Sequence, residues 1–371
     1  MPGPKPPFRA DHVGSLLRPA AVRRAREQFA KGEIGAEDLR AVENQEIRKI
    51  IRRQEDIGLK AVTDGEFRRA FWHLDFLERL GGVESYEGEQ PPMFKGVQHR
   101  PIMLRTVGKV GAAPDHPMID HFRFVKANAA TIAKMTIPSP TSLHFRYGRD
   151  SIDARVYPDL DAFFEDLGNA YAAMVRAFYD AGCRYLQLDE VNMAYLCDPE
   201  QREGVRRRGA DPQTLPATYA RLMDAAIRDR PDDMVVTTHL CRGNFRSTYV
   251  ASGGYEPVAE ILLNDIGFDG YFMEYDTKRA GGFEPLRFTP KGKTIVLGLV
   301  TSKTGALEDR DAIRRRIDEA ARFVPLDQLA LSPQCGFSST EEGNVLTEDD
   351  QWRKLEMIVE VANEVWGGPD V

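Results

Sequence analysis

The sequence predicts an α/β fold built as one (β/α)8 barrel, a TIM barrel. Short apolar runs typical of buried strands alternate with longer amphipathic helical patterns almost from end to end. Strands separated by helices need right-handed crossovers, which produce a parallel sheet, and eight such strands close a barrel. A length of 371 residues suits one elaborated barrel, so we expect residues 1–371 to form a single domain.

Eight apolar runs are predicted as strands: Ala10–Ser15, Leu59–Asp64, Ala133–Pro138, Tyr185–Asp189, Met234–Cys241, Gly270–Glu274, Thr294–Gly298 and Leu329–Ser332. Seven helical patterns are predicted: 35–57, 66–80, 158–182, 212–229, 255–264, 307–323 and 348–365. The pattern over 158–182 is clear because Phe163, Leu167, Tyr171, Met174 and Phe178 fall on one helical stripe.

Two segments exceed a minimal barrel. Within residues 1–57, helical segments lie between the first predicted strand and the second. We interpret this region as an N-terminal helical extension. Residues 82–125 hold turns rich in Gly, Pro and Gln around a β-like run, Ile102–Val110. We interpret this second segment as an inserted excursion at one mouth of the barrel.

Composition excludes several classes of protein. The chain has 50 basic and 57 acidic side chains, a formal charge of −7 that disfavours nucleic acid or an anionic membrane as the main partner. No apolar stretch is long enough to span a bilayer, and the first residues lack the pattern of a signal peptide. Four cysteines are too few for a disulfide scaffold, so we expect a cytoplasmic protein in a reducing compartment.

Chemistry-bearing side chains cluster where a parallel barrel places its active site, at the carboxyl ends of the strands. His239 and Cys241 are two residues apart on a predicted strand and therefore share one face. Taken singly, each candidate is more often structural, a cysteine serving as a small buried hydrophobe. Together, side chains from three strand ends predict a tetrahedral zinc site with four ligands: His239, Cys241, Glu274 and Cys335. Cys183 and Cys197 lack this context and are interpreted as packing residues.

These residues resemble the zinc pattern of the cobalamin-independent methionine synthase family, whose short single-barrel members are the best match. That pattern is His-x-Cys, then Glu, then Cys before Gly. Three further motifs match the family's substrate pocket: Gly14-Ser15 in HVGSLLRP, Glu66 in TDGEF and Asp189 in QLDE. The resemblance extends from Arg9 to Gly368.

The predicted ligands suit thiol chemistry. Two thiolates and a carboxylate would leave bound zinc electron-rich, a poor Lewis acid toward water but able to hold a substrate thiol as a nucleophilic thiolate. The resemblance implies a 5-methyltetrahydropteroyltriglutamate–homocysteine methyltransferase-like enzyme in methionine biosynthesis, with Glu274 and Asp189 in catalytic roles. It implies that Glu274 gives way to the substrate sulfur, that Glu66 and Asp189 hold an ammonium group, and that Gly14-Ser15 holds a carboxylate. The structural alternative for Glu66 and Asp189 is ordinary pairing with an arginine such as Arg68 or Arg69.

Two departures from the family affect the methyl donor. The chain has no histidine after His239, and the loop where the family carries a proton-relay histidine is Leu299–Thr304. The stretch Ser139–Arg146 lacks the tryptophan that stacks on folate in the family. A methyl-corrinoid, whose leaving group needs no proton, or another activated alkyl donor therefore fits better than methyltetrahydrofolate. A corrinoid protein is a possible partner beside the small-molecule thiol and donor.

Three alternative functions remain open. An epoxide-opening thiol (coenzyme M) alkyltransferase of the same superfamily would use the same zinc-thiolate logic, with cations such as Arg18 or Arg242 binding a sulfonate. The metal-free decarboxylase branch of the superfamily has no need of the four metal ligands. A non-catalytic barrel in which zinc only joins strand ends is the third alternative. Retention of both pocket acids favours an amino-thiol.

Overall fold

A computed structural model of the chain describes residues 5–88 and 102–368. Seven parallel strands form one curled sheet in the order β1-β4-β5-β6-β7-β8-β9. Their bounds are β1 Ala61–Val62, β4 Ile132–Pro138, β5 Tyr185–Asp189, β6 Val235–Leu240, β7 Gly270–Glu274, β8 Thr294–Val300 and β9 Leu329–Pro333. Two further strands, β2 Gly81–Glu87 and β3 Ile102–Gly111, form a separate antiparallel pair.

The predicted first strand, Ala10–Ser15, is not a regular strand, and the complete eight-stranded barrel is not confirmed. Only Ala10 forms a bridge, to Leu331 of β9. The carbonyls of the next residues accept hydrogen bonds from side chains in place of a neighbouring strand: His12 from Lys134, Val13 from Gln187 and Gly14 from Thr63. The segment nevertheless lies between the two sheet edges, because the Leu16 N–H donates to Gly65 O just after β1.

Helices connect the strands and cover the sheet. Their bounds are α1 Ala20–Ala30, α2 Ala36–Asp56, α3 Leu74–Leu77, α4 Pro117–Asn128, α5 Ser142–Phe145, α6 Leu160–Asp180, α7 Asn192–Tyr195, α8 Pro199–Arg207, α9 Leu215–Ile227, α10 Ala259–Asn264, α11 Arg310–Ala320 and α12 Glu348–Trp366. The predicted stripe of α6 is buried against the core as expected. Within the described ranges, no helix is long and apolar enough to cross a membrane.

The helix predicted over 66–80 is mostly irregular, and only Leu74–Leu77 is helical. The Asp75 carboxylate accepts the N–H groups of Ala70 and Phe71, which closes a local turn ahead of the helix. The Trp72 N–H donates to the carbonyl of Ser339. Contacts with a loop more than 250 residues away in the sequence therefore determine the structure of this segment, in place of the helix that its apolar periodicity predicts. This loop borders the candidate site.

The predicted excursion is confirmed as β structure. β2 and β3, which come between β1 and β4 in the chain, pair antiparallel with each other. Helix α4 occupies the C-terminal part of the predicted 82–125 segment. The hairpin is attached to the barrel near the start of α6, where the Val110 N–H donates to the Tyr157 hydroxyl over 2.7 Å. Residues 89–101 of this segment lie outside the described part of the chain.

Candidate functional site

The carboxyl ends of several strands face one small cavity. Asp189 is the last residue of β5 and pairs in register with His239 of β6, which pairs in turn with Phe272 of β7. The loop after β9 adds Cys335. The lining residues are Val13, Ser15, Glu66, Trp72, Arg146, Asp189, Val191, Tyr195, His239, Cys241, Gly243, Asn244, Cys335, Gly336 and Ser339. Six of the predicted site residues therefore line one cavity.

Three predicted metal ligands are brought together. The ligand atoms of His239, Cys241 and Cys335 all lie within 4.8 Å of one another, and all three residues are buried. The Nδ1–H of His239 donates to Phe272 O over 3.2 Å, whereas its Nε2 is buried without a hydrogen-bond partner. A backbone acceptor on one ring nitrogen and a free second nitrogen are the usual arrangement of a metal-ligating histidine.

The two thiols of this group interact directly. The neighbouring Cys335 thiol holds the pKa of Cys241 well below its ordinary value, and the same interaction raises the pKa of Cys335. Cys241 is therefore the thiol that favours the thiolate form, whereas Cys335 keeps its proton. A cation placed beside them would displace that proton, because thiolates are the form that binds metals.

Glu274, the fourth predicted ligand, lies outside this three-residue group. Its carboxylate is fully buried and accepts from Arg279 over 2.6 Å and from the Arg242 N–H over 2.7 Å. Burial raises the pKa of Glu274, but Lys303, Arg242 and Arg279 lower it further, so the net pKa is below its ordinary value. The assignment of Glu274 as a metal ligand stays a prediction.

The other two cysteines are inert packing residues, as expected. Cys183 donates to Tyr185 O and Cys197 to Met193 O. Burial raises the pKa of each thiol to about 12, so neither is ionised near neutral pH.

The predicted Gly14-Ser15 turn packs against the loop that carries Cys335. Gly14 has φ of +140°, and a Cβ there would lie 2.6 Å from a methyl carbon of Thr136. A Cβ on Gly336 would lie 1.9 Å from the Ser15 hydroxyl oxygen. Both glycines are therefore required by space, which explains the Gly-Ser and Cys-Gly motifs physically.

Glu66 lines the cavity and has one carboxylate oxygen without a hydrogen-bond partner. Its Oε1 accepts from Thr136 over 2.8 Å and lies 3.5 Å from Arg69, whereas its Oε2 is buried without a partner. The residue has φ of +61°, an uncommon value for a non-glycine residue. Pairing with Arg69, the structural alternative, accounts for only one of the two oxygens.

Asp189 is a buried carboxylate with an unusual titration. Burial raises its pKa to about 7, and the nearby Glu66 charge contributes in the same direction. Its hydrogen bond comes from the Gln187 amide over 2.7 Å, and within the described ranges it has no ion pair with an arginine. A ligand ammonium near Asp189 and Glu66 would relieve the repulsion between the two acids.

Nine of the lining residues named above were not predicted as site residues, among them Trp72, Arg146, Tyr195 and Asn244. The Arg146 guanidinium lies 5.7 Å from the centre of the half-buried Trp72 ring. Trp72 follows Glu66 by six residues, and Asn244 follows Cys241 by three. Asn244 therefore lies close to the end of β6, whereas Trp72 lies well beyond the end of β1, and the side-chain directions of both depend on the loops.

Asn244 connects the two sides of the metal-ligand group. Its amide nitrogen donates to Gly336 O over 2.7 Å, beside Cys335. Its amide oxygen accepts from Asn344 and from the Lys303 ammonium. Lys303 lies in the loop where the family resemblance implied a relay histidine, and it also donates to Gly243 O and Thr248 O. Lys303 thus fixes the loop that follows Cys241.

A family model described as the catalytic domain of cobalamin-independent synthase matches residues 8–102 and 147–364. The chain is 51% identical to an uncharacterised Bacillus subtilis protein, YxjH, over 98% of this chain and 96% of that protein. It is 24% identical to a 5-methyltetrahydropteroyltriglutamate–homocysteine methyltransferase of Bacillus velezensis, over 89% of this chain but only 40% of that longer protein.

Solved structures agree with the sequence matches. A Listeria monocytogenes structure, provisionally described as a vitamin-B12-independent methionine synthase, superposes with a TM-score of 0.80 and 44% identity, covering 97% of this chain and 98% of that one. A B12-independent methionine synthase from a Shewanella species superposes with a TM-score of 0.68 at 18% identity, covering 96% and 97%, and supports the fold alone. The chain therefore belongs to the cobalamin-independent methionine synthase family, through the catalytic domain.

Proposed function

We propose that the protein is a zinc-dependent methyltransferase that methylates the thiol of homocysteine. The observation that carries this proposal is the grouping of His239, Cys241 and Cys335 at the edge of a cavity lined by two acids, Glu66 and Asp189. A methyltransferase activity is supported by the family, and the 24% identical relative bears the name of a homocysteine methyltransferase.

The donor set fits zinc. One imidazole nitrogen without a partner and two cysteine sulfurs are ligands that zinc prefers, and their closeness suits a tetrahedral site with a further position for Glu274 or substrate. Zinc bound there would lower the pKa of a substrate thiol and favour its thiolate form. We keep Glu274 as the proposed fourth ligand, one that would exchange its bond to Arg279 for the metal.

The pocket residues would orient the amino-acid part of the substrate. Glu66 offers an Oε2 without a hydrogen-bond partner, and Asp189 offers a carboxylate that pairs with no arginine of the described residues, so both could bind the ammonium group. The Gly14-Ser15 turn would face the substrate carboxylate. Holding both charged groups would direct the thiol toward Cys241 and Cys335.

The sulfonate-binding alternative loses its proposed cations. The Arg18 guanidinium donates to the backbone carbonyls of Glu66 and Ser338, and the Arg242 guanidinium to that of Gly253. Neither residue lines the cavity. These contacts favour an amino-thiol over coenzyme M.

The methyl donor is the open part of the proposal. The family is defined by independence from cobalamin, and none of the relatives described above points to a corrinoid partner, so the expectation of a corrinoid protein has no support. A donor screen with homocysteine should compare methyltetrahydrofolate carrying one or three glutamates with simple S-methyl compounds. Methionine formed from any of them supports the proposal.

The zinc dependence is tested on the same preparation. We expect about one zinc per chain, lost in His239→Ala and Cys335→Ser together with activity. Cys183→Ser is the matched control, because it replaces a buried thiol outside the group. Full activity in chelator-treated protein, or equal zinc content in Cys335→Ser and Cys183→Ser, would contradict the proposal.

A further inference from the structure

A second, much larger cavity lies beside the candidate site. It is a cleft of about 1250 Å³ lined by residues of α1, α2 and α4 and by four loops of the catalytic face. Among the residues that the structure describes, seven arginines and no lysine line it. We call it the arginine cleft.

Three of its arginines are held by the protein itself. Arg18 is buried and donates to four backbone carbonyls on the segments that border the site. Arg26 lies 3.5 Å from Glu43 and 3.4 Å from Glu341. Arg68 lies 3.9 Å from Glu43. These arginines form a preorganised wall, and their charge is largely compensated.

The other four arginines are exposed, and none of them forms an ion pair with a residue of the described ranges: Arg23, Arg40, Arg79 and Arg246. Arg246 has φ of +45°, a strained value held by the Ser247 N–H bond to the Asn344 side chain over 2.9 Å. Two cleft acids, Glu27 and Glu342, likewise have no ion pair there. Counted over the described lining residues, four arginines against two acids, the uncompensated charge of the cleft is therefore positive on a chain whose net charge is −7.

Four chain segments supply residues to both cavities. Ser15, Glu66, Asn244 and Ser339 line the candidate site. Each of these four residues is followed, two or three positions later, by a residue of the arginine cleft. In the same order, the cleft residues are Arg18, Arg68, Arg246 and Glu341. The two cavities thus share the same four loops, so the arginine cleft borders the candidate site.

We propose that the arginine cleft binds a small polyanion, a molecule carrying two or more carboxylate or phosphate groups. Guanidinium groups suit this role because each presents paired N–H donors that match a carboxylate or a phosphate. Resting on the proposed function, the ligand is the anionic arm of the methyl donor, whose reactive end enters the cavity beside Cys335.

The test measures binding of two probes by calorimetry to the zinc-loaded protein at low salt. Tripolyphosphate represents phosphate ligands, and a tripeptide of glutamate represents carboxylate ligands. The double variant Arg40→Glu/Arg246→Glu reverses two cleft charges without removing an ion pair. Arg322→Glu is the matched control, since Arg322 is exposed, lacks an ion pair within the described ranges and lies outside the cleft.

We expect at least one probe to bind wild type, with affinity that falls as salt rises. The double variant should lose about tenfold or more in affinity, whereas Arg322→Glu should change it less than about twofold. The probe that binds more tightly identifies the anion class. No binding of either probe at millimolar concentration, or equal affinity in the double variant and wild type, overturns the proposal. Zinc content and the homocysteine response, measured on the same samples, report separately on the proposed function.

Discussion

Replacing Asp189 by Asn should stabilise the protein while weakening substrate binding. Burial raises the pKa of Asp189 from 3.8 to about 7. The carboxyl of Asp189 therefore ionises more easily in the unfolded chain than in the folded protein. Above pH 7, where it is ionised in both states, Asp189 lowers the free energy of unfolding. A difference of about 3 pKa units corresponds to at most about 4 kcal/mol of unfolding free energy at pH 8. This penalty shrinks as pH falls and disappears below pH 4.

The assay is urea denaturation of metal-stripped protein between pH 5 and pH 8, because a cation at His239 would lower the pKa of Asp189. Asp189→Asn should exceed wild type most at pH 8, and the gap should close toward acid pH. Asp318→Asn, at an exposed position, is the control and should follow wild type. In the zinc-loaded protein, homocysteine affinity should fall about 10- to 100-fold, since a charged hydrogen bond is lost. A variant less stable than wild type at pH 8, or one with unchanged affinity, would refute the reasoning.

Three further substitutions test individual contacts. Gly336→Ala should lower stability by about 1–3 kcal/mol in denaturation, and weaken homocysteine binding, because the added methyl must displace Ser15. An unchanged midpoint would show that the turn yields freely. Lys303→Met removes a donor from three oxygen acceptors, and should cost about 1–3 kcal/mol of unfolding free energy without changing the metal-ligand residues. Arg279→Gln releases Glu274, and X-ray absorption should then find more oxygen around zinc than in wild type. The same coordination in both proteins would argue against Arg279 as the group that competes for Glu274.

Much of the fold follows from local pattern. Strands such as Tyr185–Asp189 and Gly270–Glu274 are buried on both faces, and their bounds were predicted without error. Ala10–Ser15 has the same apolar character, but Gly14 and side-chain bonds to its carbonyls prevent regular pairing. The apolar periodicity of segment 66–80 predicts a helix, and this prediction is mostly wrong. The segment is held instead by hydrogen bonds to the loop after β9, and contacts so distant in sequence do not affect local periodicity.

The site could be predicted as far as strand geometry reaches. Residues at strand ends, such as His239 and Asp189, converge because parallel strands share one carboxyl edge. The position of Glu274 relative to the metal group could not be predicted, since it depends on Arg279, which lies five residues later in a short 3-10 helix. The position of Trp72 in the cavity wall could not be predicted either, because it depends on a backbone hydrogen bond to Ser339, which is distant in the sequence.

The central claim is that a substrate thiol joins zinc held by His239, Cys241 and Cys335. Zinc X-ray absorption of the purified protein, with and without homocysteine, tests it most directly. Without substrate we expect two sulfur neighbours, from the two cysteines, and with homocysteine a third. A sulfur count that stays the same with saturating homocysteine, or a protein that holds no zinc, would contradict the claim.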